Sequence, residues 1–286
     1  MNFFYAVLFL LGLGFGSFLN VVSFRFKPEE RIFDPRKISG RSACPYCQKT
    51  LRWYELIPLV SFFVQAERCR SCGHQLSWQY PLGELLSGLI FVFVPYILYP
   101  QSYVLSIIWI FILSILLLIS LIDWRHFFIP DELTWLLVFF GLAFILLKLQ
   151  VTSYKLQVFP QSFLRYYAPL FSFSWLENIW LNHLFAAGVA AVFFWLIFYL
   201  GKGKILGGGD VKLAFALGLI LGWPDIAAAL FFTFLLGGLF GFILLISRRK
   251  TMKDYLPLAP FLAIGVGLTA FFGYQIINGY FSLMGL

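Results

Sequence analysis

The chain has 286 residues, of which 61% are hydrophobic, 21% aromatic and only 12% charged. Soluble domains are near half apolar and about a quarter charged, so this composition excludes a water-soluble globule, a disordered chain and a disulfide-rich secreted module. The net charge of +8 does not point to nucleic acid, because basic excess in a membrane protein reports orientation: Lys and Arg stay on the cytoplasmic side.

Eight apolar runs follow one another: Phe3–Phe24, Leu82–Leu98, Tyr103–Ile122, Leu133–Leu149, Leu184–Leu200, Val211–Trp223, Ile226–Ser247 and Leu258–Ile277. They lack the alternation of barrel strands, so the predicted fold is all-α, a polytopic bundle of about eight transmembrane helices. The first run has no basic segment before it and no small-x-small cleavage site after it, and reads as a span rather than a signal peptide. The sixth run is the short one. Its helix would reach roughly 20 Å, against roughly 30 Å of hydrocarbon. Either it starts earlier, near Ile205, or the glycine-rich segment before it lies within membrane depth, lining protein or a wet cavity.

With eight spans, 18 of the 21 Lys and Arg fall on one side, ten of them between Arg25 and Arg70. Only Lys148, Lys155 and Arg165 fall on the other. This asymmetry predicts both termini outside and the Arg25–Tyr80 loop in the cytoplasm. The chain then divides into a first span (1–24), a cytoplasmic loop domain (25–81) and a second membrane domain (82–286). The long outer loop Gln150–Ile179 is rich in aromatics and is expected on the membrane surface.

All four cysteines fall in the cytoplasmic loop, as Cys44-Pro-Tyr-Cys47 and Cys69-Arg-Ser-Cys72, with 21 residues between the pairs. Two C-x-x-C pairs at such a distance supply the four thiolates of a tetrahedral zinc site. A reducing cytoplasm argues against two disulfides there. Four thiolates leave no open coordination position, so the predicted zinc is structural; four reduced thiols are the alternative. His74 is expected at the surface or beside the ligands.

Only 13 residues are acidic, and a carboxylate near a span is a functional candidate because burying it costs a few kcal/mol. Asp123 follows the third run, in Leu121-Ile122-Asp123-Trp124-Arg125. Asp210 ends Leu206-Gly207-Gly208-Gly209-Asp210, directly before the sixth. The charge-derived topology puts both at one cytoplasmic level, although 86 residues separate them. Glycine permits positive φ and close approach to a neighbour, so the Gly-Gly-Gly-Asp segment can carry its carboxylate into a packed bundle. Two adjacent carboxylates resist ionising together and share a proton. Such a pair contains a base for water and an acid for the carbonyl oxygen or leaving amine, the requirements of peptide hydrolysis. The alternative is structural, with Asp123 at a helix end and Asp210 as an N-cap. Asp131 is expected to cap the fourth span, Glu84 to pair with a basic residue, and Asp225 to sit in an outer turn.

In this order the motifs resemble the type IV prepilin peptidase family of Gly-x-Gly-Asp aspartic proteases. The resemblance runs through Gly16-Ser17-Phe18-Leu19-Asn20, Ala43-Cys44-Pro45-Tyr46-Cys47, Glu55-Leu56-Ile57-Pro58, Cys69-Arg70-Ser71-Cys72-Gly73, Tyr80-Pro81-Leu82-Gly83-Glu84, Ile129-Pro130-Asp131, Gly207-Gly208-Gly209-Asp210-Val211-Lys212 and Pro257-Leu258-Ala259-Pro260. It implies that Asp123 and Asp210 are the catalytic pair, cutting basic leader peptides from prepilins or pseudopilins after a Gly at the cytoplasmic face of the bacterial inner membrane. It also implies N-methylation of the new terminal residue from S-adenosylmethionine. One departure is visible: the Gly-Arg-Cys string common before the second cysteine pair, at a position associated with methyl transfer, is Glu67-Arg68-Cys69 here. The competing class is a transporter with a zinc-bound regulatory loop. Transport favours acids near mid-span and repeated halves, whereas these acids sit at one level and no repeat is found.

Overall fold

The computed structural model describes residues 2–28, 30–32, 40–98, 103–151, 178–203, 206–251 and 254–283. Most of the outer loop, 152–177, lies outside the described residues, as do Lys155 and Arg165. The described residues form helices α1 (Asn2–Arg25), α2 (Val60–Val64), α3 (Gln79–Leu98), α4 (Tyr103–His126), α5 (Asp131–Val151), α6 (Ile179–Leu200), α7 (Gly208–Leu221), α8 (Asp225–Ile246) and α9 (Ala259–Leu283). Eight of them coincide with the eight apolar runs. Five (α1, α3, α4, α6 and α8) are long and apolar enough to cross a membrane by length and composition. Of the other three, α7 has only 14 residues, and the apolar described part of α9 is Ala259–Gly273. Length and composition therefore support several crossings without fixing their number at eight.

Internal contacts divide the chain into two compact units, Met1–Ile97 and Leu98–Leu286. In the first, α1 and α3 pack through small residues. A Cβ on Gly12 would lie 2.8 Å from the Gly88 Cα, and one on Gly16 would lie 2.8 Å from the Glu84 Cα. Helices in membranes gain their association from such close backbone approach, since lipid is as apolar as leucine. Polar groups add direction to the contact. Asn20 Nδ2 donates to the Tyr80 carbonyl at 2.9 Å, and the Phe24 and Tyr80 rings stack at 4.1 Å.

In the second unit α7 packs mainly between α6 and α5, and α9 between α8 and α4. Helix α4 is buried along most of its length, as expected of a helix apolar all round at the centre of a bundle. Gly218 of α7 lets the backbones of α7 and α6 touch, because a Cβ there would stand 2.5 Å from the Ala187 Cα.

Candidate active site and metal centre

Four segments meet at one end of the second unit: the C-terminal turn of α4, the N-termini of α5 and α7, and the start of α9. Asp123 lies inside the last turn of α4, which continues to His126 rather than stopping at Ile122 as the apolar run suggested. Its side chain is buried, and its Oδ2 accepts the Ala259 backbone N–H at 3.0 Å, with the Leu258 N–H also bonding to the carboxyl. These amides belong to the Pro257-Leu258-Ala259-Pro260 segment that opens α9. A helix start supplies unpaired donors and partial positive charge, which is where a carboxylate is held well.

Asp210 sits in the first turn of α7. The expected glycine turn is thus already helical, and Gly207, not Asp210, is the N-cap. Asp210 Oδ2 accepts the Gly207 N–H at 3.1 Å, half of a capping box. None of Gly207, Gly208 and Gly209 uses positive φ; close approach alone explains Gly209, where a Cβ would stand 3.0 Å from the Ile129 Cβ. That approach seats the first turn of α7 on the Ile129-Pro130 connection leaving α4, which puts Asp210 and Asp123 within electrostatic reach of each other.

Asp131 opens α5 and also forms an ion pair across to α7. Lys212 Nζ lies 2.7 Å from each of its carboxylate oxygens. The pair was missed in the sequence, although Asp131 and Lys212 each stand in one of the quoted motifs. Glu84, expected to meet a basic residue, instead accepts the Leu59 backbone N–H at 2.8 Å and a hydrogen bond from the Ser17 side chain. Asp225 is not in a loose turn but buried as the first residue of α8.

The four cysteines converge in the first unit. Their sulfurs all lie within 4.8 Å of one another and none is in a disulfide. Two matching turns deliver them. An antiparallel bridge joins Ala43 to Thr50 around Cys44 and Cys47, and another joins Arg68 to Gln75 around Cys69 and Cys72. Each turn closes with a backbone bond back to its first cysteine, Gln48 N–H to Cys44 at 2.9 Å and Gly73 N–H to Cys69 at 2.8 Å. These two equivalent residues take left-handed φ of 56° and 70°. The Cys69 thiol is pulled down to about 6, first by the backbone N–H of Cys72 and then by that of Ser71. At Cys72 the His74 N–H acts the same way, but desolvation and the neighbouring sulfurs outweigh it and push the thiol up to about 11. Four sulfur donors so disposed match a soft, four-coordinate metal.

A buried polar cluster at the other end of the second unit was not expected from the sequence. Lys148 Nζ lies 3.2 Å from His183 Nε2, and His183 Nδ1 lies 2.8 Å from the Leu219 carbonyl. Asn182 bonds both to the Trp223 N–H at 2.8 Å and to the Trp223 carbonyl at 3.0 Å. Asp225 attracts Lys148 electrostatically. The residues come from four helix ends, so no local spacing announces them.

Fold and sites together define a multi-pass α-helical membrane protein carrying a four-cysteine module in its N-terminal unit. Residues 10–98 match the bacterial peptidase A24 N-terminal domain, and residues 110–242 match the type IV leader peptidase family. A prepilin leader peptidase/N-methyltransferase of Bacillus subtilis is 32% identical over 278 residues, 97% of this chain and 98% of that protein. Proteins of the same name from Klebsiella pneumoniae and Aeromonas hydrophila are 34% and 29% identical, covering 78% and 98% of this chain and 87% and 94% of their own lengths. The chain belongs to the type IV leader peptidase family. No solved structure matches it.

Proposed function

We propose that the chain is an aspartic endopeptidase that removes the leader peptide of type IV prepilins or pseudopilins, with Asp123 and Asp210 as its catalytic pair. The observation that carries the reading is that two carboxylates, from α4 and α7, lie within electrostatic reach of each other at one end of the bundle, each accepting backbone N–H donors. With one proton between them, the ionised carboxylate takes a proton from water as its oxygen attacks the scissile carbonyl. The protonated one gives its proton to the carbonyl oxygen, and collapse of the tetrahedral species passes a proton to the leaving amine. The Asp131–Lys212 ion pair joins the first turns of α5 and α7 at the exposed edge of the site.

The charge distribution supports a site on the cytoplasmic face of the inner membrane with both termini outside, and a functional division into a first span, a loop domain over 25–81 and a peptidase domain over 82–286. In this reading Cys44, Cys47, Cys69 and Cys72 bind one structural zinc. Zinc would cross-link the two turns and supply no reaction chemistry. The relatives' name also supports N-methylation of the new N-terminus, with S-adenosylmethionine supplying the methyl group; no residue here is assigned to that donor.

Co-expression with a prepilin tests the protease. Leader removal on a gel is expected for the wild type and is expected to fall by roughly 10²–10⁴-fold for Asp123→Asn or Asp210→Asn. Unchanged processing by either folded variant removes that residue from the pair. Mass measurement of the mature N-terminus tests methyl transfer separately.

A further inference from the structure

We propose that α2 and the turn before it are a monotopic membrane anchor, which seats the cysteine module in the headgroup layer of an anionic bilayer. Between the two cysteine turns, the segment Trp53–Val64 presents large apolar side chains outward. Trp53 is 77% exposed, Phe63 60% and Val64 65%, with Val60 beside them, while Phe62 alone of α2 is buried. The cysteine turns themselves expose mostly polar residues such as Gln48, Lys49, Ser71 and Gln75, with Tyr46 as their one large exposed apolar ring. Most of the exposed apolar surface of the module therefore falls on this one segment.

The segment is fixed against the start of α3, a membrane-crossing helix. Glu84, in the second turn of α3, takes the N–H of Leu59, the N-cap of α2. Leu59 is held at φ 60°, a conformation leucine keeps only where its surroundings impose it. The Phe62 and Phe63 rings lie 5.2 and 6.3 Å from that of Trp78, the residue before α3 begins. Trp78 is itself exposed, and Leu82 on the first turn of α3 continues the same apolar surface. The patch is thus continuous with the outward face of a span, at the level where that span enters the bilayer. Tryptophan at this depth suits a headgroup boundary. Charge agrees with the assignment: residues 41–78 carry Arg41, Lys49, Arg52, Arg68 and Arg70 against only Glu55 and Glu67. An apolar face rimmed by Arg and Lys is the pattern of an interfacial helix on anionic lipid.

The proposal does not depend on the catalytic assignment. Benzoylphenylalanine is installed at Phe63, and separately at Val60, in the full chain in vesicles of phosphatidylethanolamine and phosphatidylglycerol. Lys49 on a cysteine turn and Phe93 on the exposed face of α3 serve as references. On illumination, positions 63 and 60 are expected to form lipid adducts as readily as position 93 and roughly tenfold above position 49. An unaltered thermal transition in detergent verifies the fold of each variant, and position 60 decides if the change at 63 lowers it. Lipid adducts no more abundant than at position 49 overturn the proposal. So do adducts formed instead with an added prepilin or with a second copy of the chain, which would make the patch a protein-docking face.

Discussion

At the scale of single residues, Glu67 is the most informative departure from the family pattern. It stands where the resemblance read from the sequence leads one to expect glycine, and its φ is 62°, following Ala66 at 49°. The two residues close the end of α2, with the Glu67 N–H bonding back to the Phe62 carbonyl at 3.1 Å. A left-handed φ costs a non-glycine residue about 1 kcal/mol, so the glycine has a conformational reason and the backbone path survives without it. Glu67→Gly is expected to stabilise the module by about that amount, measured as greater resistance of residues 43–75 to thermal unfolding by amide hydrogen exchange. An unchanged or lower resistance would contradict the strain. The Asp131–Lys212 pair has the opposite character. Both side chains are more than half exposed, and a screened pair of this kind contributes at most about 1 kcal/mol. Asp131→Ala and Lys212→Ala should therefore leave the melting temperature almost unaltered, and a double-mutant cycle should return a small coupling.

At the scale of elements, the bundle depends on glycines where backbones meet. Gly218→Ala would drive a methyl into the Ala187 backbone at 2.5 Å. Overpacking a tight contact costs typically 1–3 kcal/mol, and the loss should show as an earlier thermal transition in detergent. Gly222→Ala should be comparably harmful for two reasons, its φ of 79° and a Cβ 2.7 Å from Asn182 Oδ1. Gly209 differs in kind. A methyl there would meet Ile129 at 3.0 Å, a contact that yields by a small shift of the first turn of α7. Gly209→Ala should consequently lower leader processing more than it lowers stability, because that turn carries Asp210. Equal losses in both would show that Gly209 serves packing alone.

At the scale of the whole molecule, the cysteine module and the helical bundle call for different tests. If one zinc is bound per chain, Cys44→Ser should lower it below one equivalent, and a chelator should loosen residues 43–75 while α4 to α9 stay folded. Acidification should act in the same direction, since ligand thiolates must lose their protons to bind and metal release takes up protons as pH falls. Amide hydrogen exchange read segment by segment checks both. The positions of the helices, the two cysteine pairs and the candidate acids could be read from the sequence, because hydropathy, C-x-x-C spacing and a rare charge beside a span are local signals. The groups that hold those acids could not. Ala259 is 136 residues from Asp123, and the Lys148–His183–Asn182 cluster collects the ends of separate helices. Local composition sorts each segment between lipid and water, whereas the partner of a buried polar atom is chosen by backbones that only folding brings together.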